Sequence, residues 1–450
     1  MYPRILLPLL LAAAPLAVFG ESAGPTLRST GAPTDGPQTC AACHTGPQSG
    51  RGSVSLEVVT YKPGVTQTLR ITVNDPDATV WGFQITARPV NDETKPAGVF
   101  GATSIVQVRC DDGTPHGSAP NCPPVPQFAE QLAAQQTARG AGFTFEVPWT
   151  PPANEIGDIV FYIAALAADG DKSPAGDHTY TLARAVQSTG ACNFTDRPVL
   201  GTAKNAASLQ LPFSASALVA VFGTGFQLSG HTRSVGRGDL VNGAFPIALA
   251  CVGVSINRKR VPITYVQFDQ INVQAPEDLP ASGPVEIQII LNPDLPNQLL
   301  SDVGMLTAIQ PLAPAFLTFS GTGSGNIAAQ FANTATIVAD PALIPAPGAH
   351  PAAPGDVITM YGTGFGPTEV PLVAGALDVG INRTTNPVTV TIGNAQAEFF
   401  YAGLSPGSIS GLYQINVRVP PNAPDGNLPV VATVKSVTTQ VNATIPVRHP

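Results

Sequence analysis

Two stretches about 140 residues apart spell the same passage, and a repeat of that length is too long for a solenoid unit and suits whole domains in tandem. Residues 217–226 end in Val221-Phe222-Gly223-Thr224-Gly225-Phe226, and residues 356–365 end in Met360-Tyr361-Gly362-Thr363-Gly364-Phe365. The following parts match in order. Val252-Gly253-Val254-Ser255-Ile256 returns as Val388-Thr389-Val390-Thr391-Ile392, and Gln270-Ile271-Asn272-Val273-Gln274-Ala275-Pro276 returns as Gln414-Ile415-Asn416-Val417-Arg418-Val419-Pro420. Each copy closes on another apolar strand, at residues 285–291 and 428–434. Alternation with period two inside every segment predicts half-buried strands. The chain is therefore expected to place two β-sandwiches at 198–312 and 315–448, with the boundary near Pro311 to Pro314. Residues 341–355, with five prolines, read as an insertion or a stiff connector.

The same period recurs upstream, in Val54-Ser55-Leu56-Glu57-Val58, at residues 67–73 and 79–85, and again at 143–147, 158–168 and 179–185. Turn residues such as Pro63-Gly64 and Asn74-Asp75-Pro76-Asp77 separate these strands. A further sandwich is expected over 53–186, with residues 126–139 as its one helical stretch. The fold class is all-β, three tandem immunoglobulin-like sandwiches. Composition agrees: Gly and Pro number 44 and 46 in 450 residues, while charged residues are only 12%, so the excess belongs in turns of a β-rich exported chain.

Residues 1–20 carry Arg4, an apolar run from Ile5 to Phe19 and the exit Val18-Phe19-Gly20, the pattern of a cleaved secretory signal. The run is shorter than a membrane span and is broken by Pro8 and Pro15, so no integral span is expected in the mature chain. The expected location is extracellular or at the cell surface, with the periplasm as the alternative. A net charge of −8 and no basic cluster beyond Arg258-Lys259-Arg260 leave nucleic acid without an electrostatic footing.

Residues 21–52 are rich in Gly, Pro, Ser and Thr and read as an ordered loop or linker. They hold the one motif that names a chemistry, Cys40-Ala41-Ala42-Cys43-His44. In this C-x-x-C-H spacing two thiols attach a haem and the adjacent histidine supplies an axial nitrogen. Haem c is the expected cofactor, with a structural disulfide or a redox dithiol as the alternatives. His178 and His116 are the candidates for the sixth iron position. Outside an exported chain's reducing cytoplasm the other cysteines, Cys110, Cys122, Cys192 and Cys251, are expected to close disulfides. Three pairings are possible, and Cys110 with Cys122 and Cys192 with Cys251 are favoured because the first closes a short loop and the second pins the start of the repeat region to its middle.

The acidic run from Asp169 to Asp177 departs from a helix-loop-helix calcium site, with Pro174 at the glycine position, and reads as a plain turn. Gly223-Thr224-Gly225 and Gly362-Thr363-Gly364 open no helix and read as turn glycines rather than a dinucleotide loop. No nucleophile elbow, zinc-protease motif or P-loop occurs, so no enzyme is expected.

Gly31-Ala32-Pro33-Thr34-Asp35-Gly36, the Cys40 to His44 motif, Asp169-Gly170-Asp171 and Gly176-Asp177-His178-Thr179-Tyr180 together resemble the reelin-like domain of bacterial surface proteins called the choice-of-anchor V family, over about 28–186. Asn205-Ala206-Ala207-Ser208, Gly223-Thr224-Gly225-Phe226, Tyr265 and Gln270-Ile271-Asn272 are similar to an immunoglobulin-like C-terminal repeat of acidobacterial secreted proteins, related in appearance to IPT/TIG domains, over about 198–448. The second copy keeps Gln414-Ile415-Asn416 but lacks the asparagine-alanine-alanine-serine opening. The resemblance implies surface modules of immunoglobulin-like shape without enzymatic activity. The function expected is binding, adhesion or spacing, towards a surface polymer, a carbohydrate or a protein. An exported monohaem cytochrome with a redox partner is the alternative.

Overall fold

The computed structural model describes residues 24–36, 38–46, 51–58, 60–112, 115–116, 122, 124–227 and 229–449. The expected signal segment, 1–20, lies outside them. The described chain is all-β: strands make up its regular structure, and its helical elements are the three-residue 3-10 turns Pro33–Asp35, Cys40–Ala42 and Arg237–Asp239. Among the described residues no helix is long and apolar enough to cross a membrane. The chain divides into two compact units, Met1–Thr189 and Gly190–Pro450.

In the first unit, a four-stranded sheet runs in the order Ser53–Glu57, Gln67–Asn74, Phe143–Thr150, Val99–Phe100. A larger sheet runs Thr60–Tyr61, His178–Ser188, Ile159–Ala168, Val80–Pro89, Gln127–Gln131, Val106–Cys110, Pro115–His116. Its central pair is antiparallel over ten residues, Ile159 opposite Pro89 through Ala168 opposite Val80. The inward residues of both sheets form one core around Trp81, Phe83, Phe145, Trp149 and Phe161.

The expected helix at 126–139 is not formed. Gln127–Gln131 is a strand buried along its whole length, and Gln135–Gln136 pairs with Val80–Pro89. The reason lies on the sheet's other face, which is also covered. Residues 24–36 and 38–46 form an ordered loop, a strap laid across it: Ala32 packs on Val160 and Tyr162, and the Ser29 amide donates to Gln84 Oε1 at 2.7 Å. Asp35 meets Arg88 at 2.7 Å, both almost wholly buried. Burial is the largest influence on each partner, pushing the Asp35 carboxyl up and the Arg88 guanidinium down against their mutual attraction. A strand buried on both faces loses the alternation by which a strand is recognised, and its glutamines and alanines then read as helix formers.

The second unit holds both copies of the repeat, each with its own apolar core. In the first copy one sheet runs Val199–Asn205, Leu218–Thr224, Gln270–Gln274, Ile263–Gln267, Thr232–Ser234, and faces another built on Val252–Ile256 and Gly283–Leu291. The second copy repeats this with Ala315–Phe316, Val357–Thr363, Tyr413–Arg418 and Glu398–Leu404, facing Val388–Ile392, Gly426–Val434 and Ala443–Val447. Residues 341–355 are an insertion packed on the second copy, where His350 stacks on Phe331 and Ala352 is fully buried.

A polar seam joins the copies. Buried Gln274 accepts from the Gly375 amide at 2.7 Å and donates to Ser410 Oγ at 3.1 Å. Thr363 Oγ1 accepts from the Leu218 amide at 2.8 Å and donates to the Gly411 carbonyl at 2.8 Å. Asn205, of the opening that only the first copy has, donates to the Ala313 carbonyl at 2.8 Å. Cys110 with Cys122 and Cys192 with Cys251 are at disulfide distance, with Cα separations of 5.5 and 5.2 Å.

Candidate functional site

The strap ends at the C-x-x-C-H motif, and the fold brings that motif onto the acidic run far away in sequence. Thr39 caps the Cys40–Ala42 turn by accepting from the Ala41 amide, and the His44 amide returns to the Cys40 carbonyl at 3.0 Å. Two bonds dock the turn on the run after the Ile159–Ala168 strand. The Thr45 amide donates to the Pro174 carbonyl at 2.9 Å, and His44 Nδ1 lies 2.6 Å from Asp177 Oδ2. Asp177 is 2% exposed and its other oxygen accepts from the Asp169 amide at 3.3 Å. A carboxylate only accepts, so Nδ1 carries the hydrogen and His44 Nε2 is left for a ligand. Gly46 follows because a Cβ there would fall 1.7 Å from the Asp177 carbonyl.

The run from Asp169 to Asp177 is a turn held by its own side chains. Asp169 accepts from the Asp171 amide at 3.0 Å, Asp171 from the Ser173 amide at 2.6 Å, and Ser173 from the Ala175 amide at 3.1 Å. These bonds hold the loop in one shape, and Lys172 and Ser173 are among the residues that line the cavity beside it. The cavity has a volume of ≈ 430 Å³ and is walled by His44, Trp81, Leu166, Gln131, Gln136 and Lys172, with Ala168 and Asp177. That volume is within the range of small-molecule sites. Gln131 is fixed by accepting from the Phe83 amide at 2.7 Å, and Trp81 by donating to Thr137 Oγ1 at 2.8 Å.

The motif's two thiols differ. Cys43 is exposed, whereas Cys40 is 8% exposed, beneath the turn, and burial pushes its thiol up to about 12. Neither lines the cavity that His44 faces. His44, Cys43 and Cys40 are the residues that would hold a haem, and the burial of Cys40 beneath the turn counts against its thiol as the second anchor.

Of the two candidates for a sixth ligand, His178 is held through Nδ1 as His44 is, which leaves its Nε2 likewise open, and it does not line the cavity beside His44. Its Nδ1 lies 2.6 Å from Asp75 Oδ2, which also accepts from Tyr180 Oη, and Tyr180 in turn accepts from the Gly52 amide at 3.1 Å. His116 pairs through its backbone with Val108, and its side chain lies outside the described residues. Among the described residues no group of three His, Cys, Asp or Glu is gathered to hold a metal ion. Sequence reasoning missed Asp177, Lys172, Gln131 and Gln136 as site residues. The one available signal was that Asp177 stands within the same resemblance as the Cys40 motif.

The sequence matches no family model and no curated protein. Solved structures similar to part of it include the Reelin-N domain of F-spondin, with 18% identity, covering 33% of this chain and 95% of that one at a TM-score of 0.22. The human F-spondin reeler domain has 17% identity, covering 32% and 95% at 0.21. A chain of a type I cohesin–dockerin complex from Clostridium thermocellum has 10% identity, covering 29% and 96% at 0.18.

Proposed function

We propose that the chain is a non-enzymatic β-sandwich protein, secreted or held at the cell surface, whose first unit binds a carbohydrate, surface polymer or protein and whose tandem copies act as a spacer. The observation that carries this reading is the cavity at His44, formed where the strap, the Val80–Pro89 strand and the Asp169 to Asp177 run meet. Convergent polar groups over an apolar floor are the composition of a binding site. The seam at Gln274 supports the spacer role, because buried hydrogen bonds across it fix one copy against the next.

The test is retention of the full mature chain on immobilised neutral and acidic polysaccharides, beside Ala134→Phe, which fills the cavity from its rim. Retention lost in the variant supports the reading. Equal retention of both chains, or of neither, overturns it.

A second reading, a covalently bound haem c with Cys40 and Cys43 as anchors and His44 as axial ligand, is favoured by one observation, the Nδ1 bond to Asp177. A carboxylate on that nitrogen fixes the tautomer and orients the ring. Bound there, haem would supply one-electron chemistry towards an extracytoplasmic redox partner. A Soret band that survives denaturation after expression with haem-maturation machinery, and is absent from Cys40→Ser, Cys43→Ser, is the expected result. A colourless, folded chain from the same host removes this reading.

A further inference from the structure

The cavity's polar groups are uneven in charge. Lys172 is exposed, forms no ion pair among the described residues and is one of the residues that line the cavity. The one carboxylate on the wall, Asp177, is occupied by His44 Nδ1 and the Asp169 amide. Asp169 and Asp171 are not among the lining residues, and each accepts from a backbone amide of its own loop. The polar residues lining the cavity are therefore Lys172, His44 with Nε2 open, Gln131, Gln136 and Ser173. Beneath them are the apolar Leu166 and Ala168, while Trp81, which borders the cavity, is itself buried in the sandwich core.

Five polar groups in ≈ 430 Å³ are too many for a hydrocarbon ligand, because each would lose its water without a partner. They suit a ligand rich in hydroxyls with an apolar face and a single negative charge. Gln131 is already held by the Phe83 amide through Oε1, so its NH₂ is presented as a fixed pair of donors. We infer that the cavity recognises an acidic sugar residue, a uronate unit of a polysaccharide. Its carboxylate pairs with Lys172, its hydroxyls meet Gln131, Gln136 and His44, and its C–H face lies on Leu166 and Ala168. The inference rests on the binding reading above and narrows it to one ligand chemistry.

The test uses the full mature chain, made without haem-maturation machinery so that no covalent group competes, and follows Trp fluorescence and heat on titration with digalacturonate and diglucuronate. Their methyl esters keep the skeleton and remove the charge. The expected result is that the acids bind about tenfold or more tightly than the esters, as a charged hydrogen bond implies. Lys172→Met should abolish that difference, and added salt should weaken the acids more than the esters. Lys172 is exposed on a loop, so the variant keeps the fold. Esters binding as tightly as acids, or an unchanged preference in Lys172→Met, overturns the uronate inference while cavity binding stands. No binding of either overturns it as well, and the polysaccharide panel with Ala134→Phe then decides the broader reading independently.

Discussion

Single side chains settle how the strap is held, and the most consequential are those that touch a buried carboxylate. Asp75 is 1% exposed and collects the Tyr180 hydroxyl, the Asp77 amide and the His178 ring. Burial alone would push its carboxyl up, but these donors outweigh it and hold it below the usual carboxylate range. An acid whose folded value is depressed adds stability above its unfolded value of about 3.9 and loses it as pH falls through the folded one. Asp75→Asn should therefore cost about 1–3 kcal/mol near neutral pH and flatten the acid limb of the stability profile below about pH 4. Urea unfolding followed by Trp fluorescence reads this directly, since Trp81 and Trp149 both lie in the first unit. Little at this scale was legible in the sequence. His44 and Asp177 stand 133 residues apart, and nothing in either neighbourhood states that the loop after one strand receives a turn that precedes the whole sandwich.

At the scale of elements, period-two alternation located strands well wherever one face meets water, as at Gln67–Asn74 and Phe143–Thr150. It failed at Gln127–Gln131, where Phe128, Ala129 and Glu130 are all buried and the usual polar face is sealed by the strap. Burial pushes the Glu130 carboxyl up, with Gln84 and Arg109 answering it. The repeated glycines were read as turn residues, which is half of their role. Gly225 and Gly364 adopt φ of 76° and 77°, the left-handed region that favours glycine. Gly223 and Gly362 instead lie on strands, crossed closely by the strand that opens each copy. A Cβ on Gly362 would fall 2.4 Å from the Ala315 carbonyl, and one on Gly223 would fall 2.0 Å from that of Val199. Gly362→Ala should cost roughly 1–3 kcal/mol by overpacking. The circular-dichroism transition of the second unit should shift to lower urea while the Trp transition stays in place; coincident shifts would refute the assignment.

For the whole molecule, the tandem copies were legible because duplication leaves matching strands in matching order. Their fusion into one compact unit was not, because the seam uses single polar residues that carry no pattern. The Cys192–Cys251 pair ties the start of the second unit to the first copy's core, and replacing both by Ser should cost about 2–4 kcal/mol. Both Trp residues being in the first unit, the loss should show in circular dichroism and leave Trp fluorescence unmoved.

The seam has a direction, since the first copy offers Gln274 and the second receives it through Gly375 and Ser410. Head-to-tail contacts of this kind can in principle propagate from molecule to molecule without closing. The residue matching Gln274 in the second copy is Arg418, whose guanidinium is taken by Glu398 at 2.8 Å and the Gly355 carbonyl at 2.9 Å. The second copy therefore lacks at that position the carboxamide by which the first copy holds its neighbour, so the pair is joined by a group that occurs in the first copy and not at the matching place in the second.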